Sequence, residues 1–276
     1  MPTPFVPPKS KINKEELIRL RKEQSAQATA KEQAANTIPS GARPEDAALL
    51  RSRDWIKPED ATDKLRIIFD NSGSMDGAKL QAAKDGVVEF LRNCTPNSTA
   101  IAIHLINPEG SSEWDYASNN ILKLPLPTNI EKSKMTADII LLASEITEPS
   151  IHACGGTPLY ETIEKALASA EPRATRLIAF SDGAPSWVGN KDSILQGAKR
   201  ASIPIDTVFI CSPHEPAWEH ASAIAEMKYI AEMTGGIFLD LSKGDIKSGL
   251  KYLAPVKRLM LADSSFKSKV ERGEVK

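Results

Sequence analysis

The chain has 276 residues, long enough for one α/β domain of roughly 200 residues with an extension. Its 35 basic residues are matched by 36 acidic ones, a net charge of −1, so it carries no excess of positive charge for nucleic acid. No run of about 18 apolar residues offers a membrane span, and three cysteines (Cys94, Cys154, Cys211), odd in number and without metal-ligand spacing, count against a disulfide framework and for a reducing compartment.

Residues 1–60 differ in texture from the rest. They begin Met1-Pro2-Thr3-Pro4-Phe5-Val6-Pro7-Pro8, without the apolar core of a signal peptide, and continue rich in Lys, Glu, Gln and Ala. One weak apolar patch at Leu17, Ile18 and Leu20 predicts an arm that is partly helical or disordered and meets solvent or a partner rather than building a core. The expected setting is soluble and cytoplasmic.

From residue 63 strand-like and helix-like segments alternate, which predicts a mostly parallel sheet covered by helices over a domain at 61–255. The apolar runs place strands at 65–69, 99–106, 121–126, 176–180, 204–210 and 236–241. Helical spacing places helices at 78–93, 137–145, 158–170, 192–201, 218–233 and 245–253. Only a short loop separates the second and third strands, so these two are expected to pair antiparallel, with Pro125 suiting an edge. The tail at 256–276 is Lys-rich and is expected to be loosely held.

The chemistry concentrates where strands end. Asp70-Asn71-Ser72-Gly73-Ser74 follows the first strand and delivers one carboxylate and two hydroxyls into a tight turn. Hard divalent cations such as Mg²⁺ take oxygen ligands of this kind, and one carboxylate leaves positions to be filled from elsewhere. A second acid, Asp182 in Ser181-Asp182-Gly183, follows the fourth strand in the same relative position. In a doubly wound sheet, loops at the carboxyl ends of strands converge where the strand order reverses. The third piece is Gly155-Gly156-Thr157-Pro158, in which Pro158 suits a first helical position and Thr157 can either cap that helix or turn its hydroxyl to the metal.

Other readings of these residues are weaker. Gly73-Ser74-Met75-Asp76-Gly77-Ala78-Lys79 lacks Walker spacing and sets Asp76 where phosphate would be repelled. Ser74 as a hydrolase nucleophile would need Gly two residues earlier, where Ser72 stands. His214 and His220, with Glu215 and Glu219 nearby, are better read as solvated neighbours of a loop than as a second metal site. His104 and His152 read as structural or surface residues, and Cys154 as a small packing residue without an activating base. Trp187, after the Asp182 turn, either lines a partner surface or folds back on the domain, and Trp114 and Tyr116 fall in a polar loop.

Taken together, Asp70-x-Ser72-x-Ser74, Thr157 and Asp182-Gly183 closely resemble the metal-ion-dependent adhesion site of the von Willebrand factor type A (vWA) domain, with no position departing from the pattern. The resemblance covers roughly residues 64–253. It includes Gly155-Gly156-Thr157-Pro158-Leu159-Tyr160 and Met233-Thr234-Gly235-Gly236-Ile237-Phe238, both similar to soluble intracellular members of bacterial or phage type. It implies a Rossmann-like, doubly wound sheet of order 3-2-1-4-5-6. It also implies Mg²⁺, with Mn²⁺ or Ca²⁺ as alternatives, held by Asp70, Ser72, Ser74, Thr157 and Asp182. The implied function is a non-enzymatic interaction module in which an Asp or Glu of a protein partner completes the coordination, without nucleic acid or membrane. By family analogy, a MoxR-type AAA+ ATPase is the partner to test first. A structural or assembly protein of a virion or other large complex is the alternative, and a metal-dependent hydrolase is disfavoured for want of a base.

Overall fold

The computed structural model describes residues 60–94, 98–107, 143, 146–147, 151–168, 173–183, 185–186, 190–211 and 220–275. The chain divides into two units, Met1–Arg53 and Asp54–Lys276, and every described residue belongs to the second. Within it five strands, β1 (Asp63–Phe69), β2 (Thr99–Leu105), β3 (Arg176–Ser181), β4 (Ile205–Phe209) and β5 (Phe238–Asp240), form one sheet of order β2-β1-β3-β4-β5. All four pairings are parallel. The order agrees with the sequence expectation for the strands that are described. The expected antiparallel edge strand at 121–126 lies outside the described residues, as does most of the expected helix at 137–145.

A parallel sheet is stable only with both faces covered, and these strands alternate between two cores. Leu65, Ile67 and Phe69 of β1 join Ile101, Ile103 and Leu105 of β2 and Ile178 and Phe180 of β3 in one cluster. Ile68, Leu177, Ala179 and Ile205 belong to the cluster on the opposite face. The first face is covered by α1 (Ala78–Arg92), whose Leu80, Ala83, Val87, Phe90 and Leu91 form the apolar stripe expected from their spacing. The second face is covered by α2 (Leu159–Ala168), α3 (Lys191–Arg200) and α4 (Ala221–Thr234), through Tyr160 and Ile163, Leu195 and Ala198, and Met227 and Ile230.

Helix α4 ends on Gly235 at φ 76°, a left-handed cap that returns the amide of Gly236 to the carbonyl of Ala231 at 2.8 Å. Gly236 then passes so close to β4 that a Cβ there would fall 1.9 Å from the Ile205 carbonyl oxygen. Glycine is therefore favoured at Gly235 by its backbone conformation and required at Gly236 by space.

The segment after Pro255 departs from expectation. Instead of a loose tail it forms α6 (Pro255–Arg258) and α7 (Ser264–Glu271), following α5 (Ile246–Leu250), and sends Leu261 and Val270 into the first core. Phe266 packs edge-on against Tyr252, with ring centroids 5.3 Å apart. Arg258 reaches buried Asp206 on β4 with Nε and Nη2 at 2.8 Å, and Arg176 of β3 donates to the same carboxylate at 2.7 Å. Burial alone would raise the Asp206 pKa, but the two guanidinium groups and the Ile237 amide hold it below the usual value. The abundance of lysine hid three apolar anchors and one arginine. Among the described residues no helix is long and apolar enough to cross a membrane.

Candidate functional site

The ladder itself brings the two acids together. Phe69 pairs with Phe180 in register, so Asp70 and Ser181-Asp182 leave adjacent strands side by side, and the Asp70 amide donates to the Phe180 carbonyl at 3.1 Å. The chain adds β2 on one side of β1 and then returns past β1 to add β3 on the other, which makes this the point where strand order reverses.

Asp70 is buried beneath the turn. One carboxylate oxygen accepts from the Ser72 amide at 2.7 Å and the other from the Ser181 hydroxyl. The turn continues as a short 3-10 segment, Gly73–Met75, anchored by the buried Met75 side chain. Ser72 and Ser74 meet hydroxyl to hydroxyl at 3.0 Å, and Ser74 Oγ donates to Asp182 Oδ1 at 2.8 Å. Lys79, from the first turn of α1, donates to Asp182 Oδ2 at 2.5 Å.

Thr157 comes from the third loop. Its amide donates to Ser186 Oγ at 2.7 Å, its carbonyl accepts from the Ser186 amide at 3.0 Å, and the chain then enters α2. Its hydroxyl lies 3.6 Å from the point that a Cβ on Gly183 would occupy, and Ser74 Oγ lies 3.8 Å from the same point. The bare Cα of Gly183 thus borders a small cradle edged by two hydroxyls and the Asp182 turn. Hydrogen bonds link Asp70, Ser72, Ser74 and Asp182 in series at this turn, and the Thr157 hydroxyl reaches it from the third loop beside Gly183.

Two asparagines hold the loops in place. The Asn71 side chain donates to the carbonyls of Asn107 at 2.7 Å and His152 at 3.2 Å, and accepts from the Asn107 amide at 2.8 Å. Asn107 Nδ2 in turn donates to the carbonyls of Cys154 at 2.7 Å and Gly156 at 2.6 Å. Cys154 and Gly73 add backbone bonds, to the Asn71 carbonyl at 2.8 Å and from Gly73 to the Gly155 carbonyl at 3.0 Å. Gly155 sits at φ 63°, where a Cβ would also press on Asn107 Oδ1 at 2.9 Å, so only glycine fits.

The electrostatics follow from burial. The Asp70 carboxyl is pushed up to about 6, first because it is removed from water and further by the charge of Asp182, against the opposing bonds from Ser181 and Ser72. Among the described residues no three His, Cys, Asp or Glu side chains gather into a metal cluster. The groups that could hold an ion here are instead two carboxylates and three hydroxyls, oxygens of the kind a hard cation takes rather than zinc.

Sequence reasoning missed Ser181, Lys79, Asn71, Asn107 and Ser186. Ser181 and Asn71 stand next to expected ligands and carried a signal in that adjacency, whereas Asn107 is separated in sequence from the loop it braces. Of the remaining candidates, His104 is buried on β2 and accepts from Arg66 Nη1 at 3.1 Å, with its pKa lowered to about 4 by burial and then by that charge. His220 packs its ring on Phe209 at 5.5 Å. Cys154 works through its backbone, as part of the loop brace. His214, Glu215, Glu219, Trp114, Tyr116 and Trp187 lie outside the described residues.

No family model matches the chain, and no curated protein does. Solved structures are similar in fold. The pilus adhesin SpaC from Lactobacillus rhamnosus GG matches at 12% identity and a TM-score of 0.48, over 76% of this chain and 31% of its own. The ArnB paralog VWA2 from Sulfolobus acidocaldarius matches at 20% identity and 0.46, over 70% of this chain and 44% of its own. The TFIIH p34 N-terminal domain matches at 15% and 0.38, over 72% of this chain and 100% of its own. The chain thus spans less than half of the SpaC and VWA2 chains.

Proposed function

We propose that the chain is a vWA-type interaction module that binds Mg²⁺ through Asp70, Ser72, Ser74, Thr157 and Asp182 and captures an acidic side chain of a protein partner. The observation that carries this reading is the hydrogen-bonded series Asp70, Ser72, Ser74 and Asp182 at the ends of paired strands, with the Thr157 hydroxyl brought beside it from a third loop at Gly183. When bound, the ion supplies a centre whose remaining coordination position takes an Asp or Glu from outside; Mn²⁺ or Ca²⁺ would suit the same oxygens less selectively.

The chain's own residues do the rest. Asp70 and Asp182 supply the negative charge, and the neutral hydroxyls of Ser72, Ser74 and Thr157 add ligands without cancelling more of the cation's charge. Ser181 and the Ser72 amide orient Asp70, and the asparagine pair fixes the loop that carries Thr157. The reading places the protein in the cytoplasm, without catalytic activity, and includes a sixth, antiparallel edge strand at 121–126. A MoxR-type AAA+ ATPase is the first partner to test, with the arm at 1–60 as a second contact.

The test is affinity capture from cell extract with and without EDTA, beside thermal denaturation with and without millimolar Mg²⁺. Wild-type protein is expected to gain melting temperature with Mg²⁺, because an ion that binds only the folded state stabilises it by mass action, and Asp70→Ala is expected to lose both this gain and the capture. Capture that persists in EDTA and in Asp70→Ala would sink the metal-bridging idea.

A further inference from the structure

The metal reading leaves one charged group unexplained, the ammonium of Lys79. It stands 2.5 Å from Asp182 Oδ2, and the two side chains are only 13% and 1% exposed. This is a close, largely desolvated ion pair on a carboxylate that the proposed ion would also use.

Its position on the helix is a second observation. Lys79 is the second residue of α1, whose N-terminus has no side-chain cap and no acidic residue in its first turn. The helix dipole puts partial positive charge at that end, so a lysine there is locally unfavourable. Local rules broken in this way are found where a site requires it. What offsets the cost here is the Asp182 carboxylate, supplied by the turn that follows the neighbouring strand β3.

Resting on the metal reading, we propose that Lys79 is a built-in counter-cation that competes with the divalent ion for Asp182 and thereby sets the ion concentration at which the site fills. In the absence of a divalent ion the ammonium neutralises Asp182 and keeps two neighbouring carboxylates from standing uncompensated. When an ion enters, Lys79 either gives up its bond to Asp182 or stays and repels the ion. Both routes weaken ion binding. A charge several ångströms from a divalent cation in a partly solvated site is worth about tenfold or more in affinity.

The experiment is Mn²⁺ binding to the full chain, followed by the electron paramagnetic resonance signal of the free ion and by calorimetry, for wild type, Lys79→Met, Lys79→Arg and Asp182→Ala. Methionine keeps the aliphatic stem and removes the charge, while arginine retains it. Lys79→Met is expected to bind Mn²⁺ about tenfold tighter than wild type, Lys79→Arg to stay near wild type, and Asp182→Ala to lose binding. Melting in EDTA and in Mg²⁺ gives an independent readout: Lys79→Met should be less stable than wild type in EDTA and gain more from Mg²⁺. If wild type binds Mn²⁺ at Asp182 and Lys79→Met binds equally or more weakly, the counter-cation role is wrong and the metal site stands. If neither wild type nor Lys79→Met binds Mn²⁺, the metal site itself is wrong.

Discussion

Asp70 couples the site to pH, and the coupling has a definite sign. An unfolded chain ionises this carboxyl at 3.8, whereas burial in the folded protein pushes it up to about 6. The folded state therefore holds the proton to higher pH. The stability this group contributes is complete below pH 4 and is lost as pH rises through 6. At roughly 1.4 kcal/mol per pH unit, the loss amounts to about 3 kcal/mol by pH 7 when no divalent ion is present. Ion binding at the proposed site should run the opposite way, because a protonated Asp70 cannot serve a cation. At pH 5 about one molecule in eleven has Asp70 ionised, so affinity should be about tenfold lower than at pH 7.5, with a proton released on binding.

Two assays check this. Urea denaturation in EDTA from pH 4 to 7, on wild type and Asp70→Asn, isolates the residue from other carboxylates such as Asp206, whose lowered pKa gives it the opposite slope. The stability of wild type relative to Asp70→Asn should fall by about 2.5 kcal/mol across that range. Calorimetry of Mn²⁺ in buffers of different ionisation enthalpy counts the released proton. A stability difference that stays flat from pH 4 to 7, or an affinity unchanged between pH 5 and 7.5, would refute the argument from burial.

Two further outcomes follow from the bonds that hold the frame. Asp206→Asn should cost about 3–5 kcal/mol in chemical denaturation, because it leaves the Arg176 guanidinium buried and weakly paired and frees Arg258 from the sheet. Asn107→Ala should cost about 2 kcal/mol through the unsatisfied carbonyls of Cys154 and Gly156 and reduce the Mg²⁺-dependent melting shift, although no donor oxygen is touched.

Much of this was legible in the chain because periodicity and strand-end chemistry are local signals. The continuous apolar run at Arg176–Ser181 and the spacing of Leu80, Ala83, Val87, Phe90 and Leu91 report burial on two faces and on one face, and the structure has them so. The three loops were legible for the same reason, since each stands at a predictable break. What the sequence hid depends on distance. Asn107 and Gly156 are 49 residues apart, Lys79 and Asp182 are 103 apart, and Asp206 and Arg258 are 52 apart, so no window could join them. Arg258 was also masked by composition, because a lysine-rich segment reads as solvated unless its few apolar residues are placed on a surface that needs covering.

The same distinction separates the parts of the site mechanically. Asp70 and Asp182 emerge from paired central strands, and the paired residues of the ladder that fixes them, Leu65–Phe69 and Arg176–Phe180, are buried. Thr157 has no strand behind it. It is located by loop contacts: Asn107 on the preceding carbonyls, Ser186 on its own amide and carbonyl, the Gly73 amide on the Gly155 carbonyl, and Gly155 in a conformation only glycine takes without strain. Hydrogen bonds of this kind each contribute about 1 kcal/mol, far less than dismantling a sheet would cost, so the loop that carries Thr157 should be easier to displace than the two acids. A brace of this kind explains why Asn107→Ala should reduce ion binding more than it disturbs the fold: it loosens one arm of the donor set and leaves the two charges where the sheet put them.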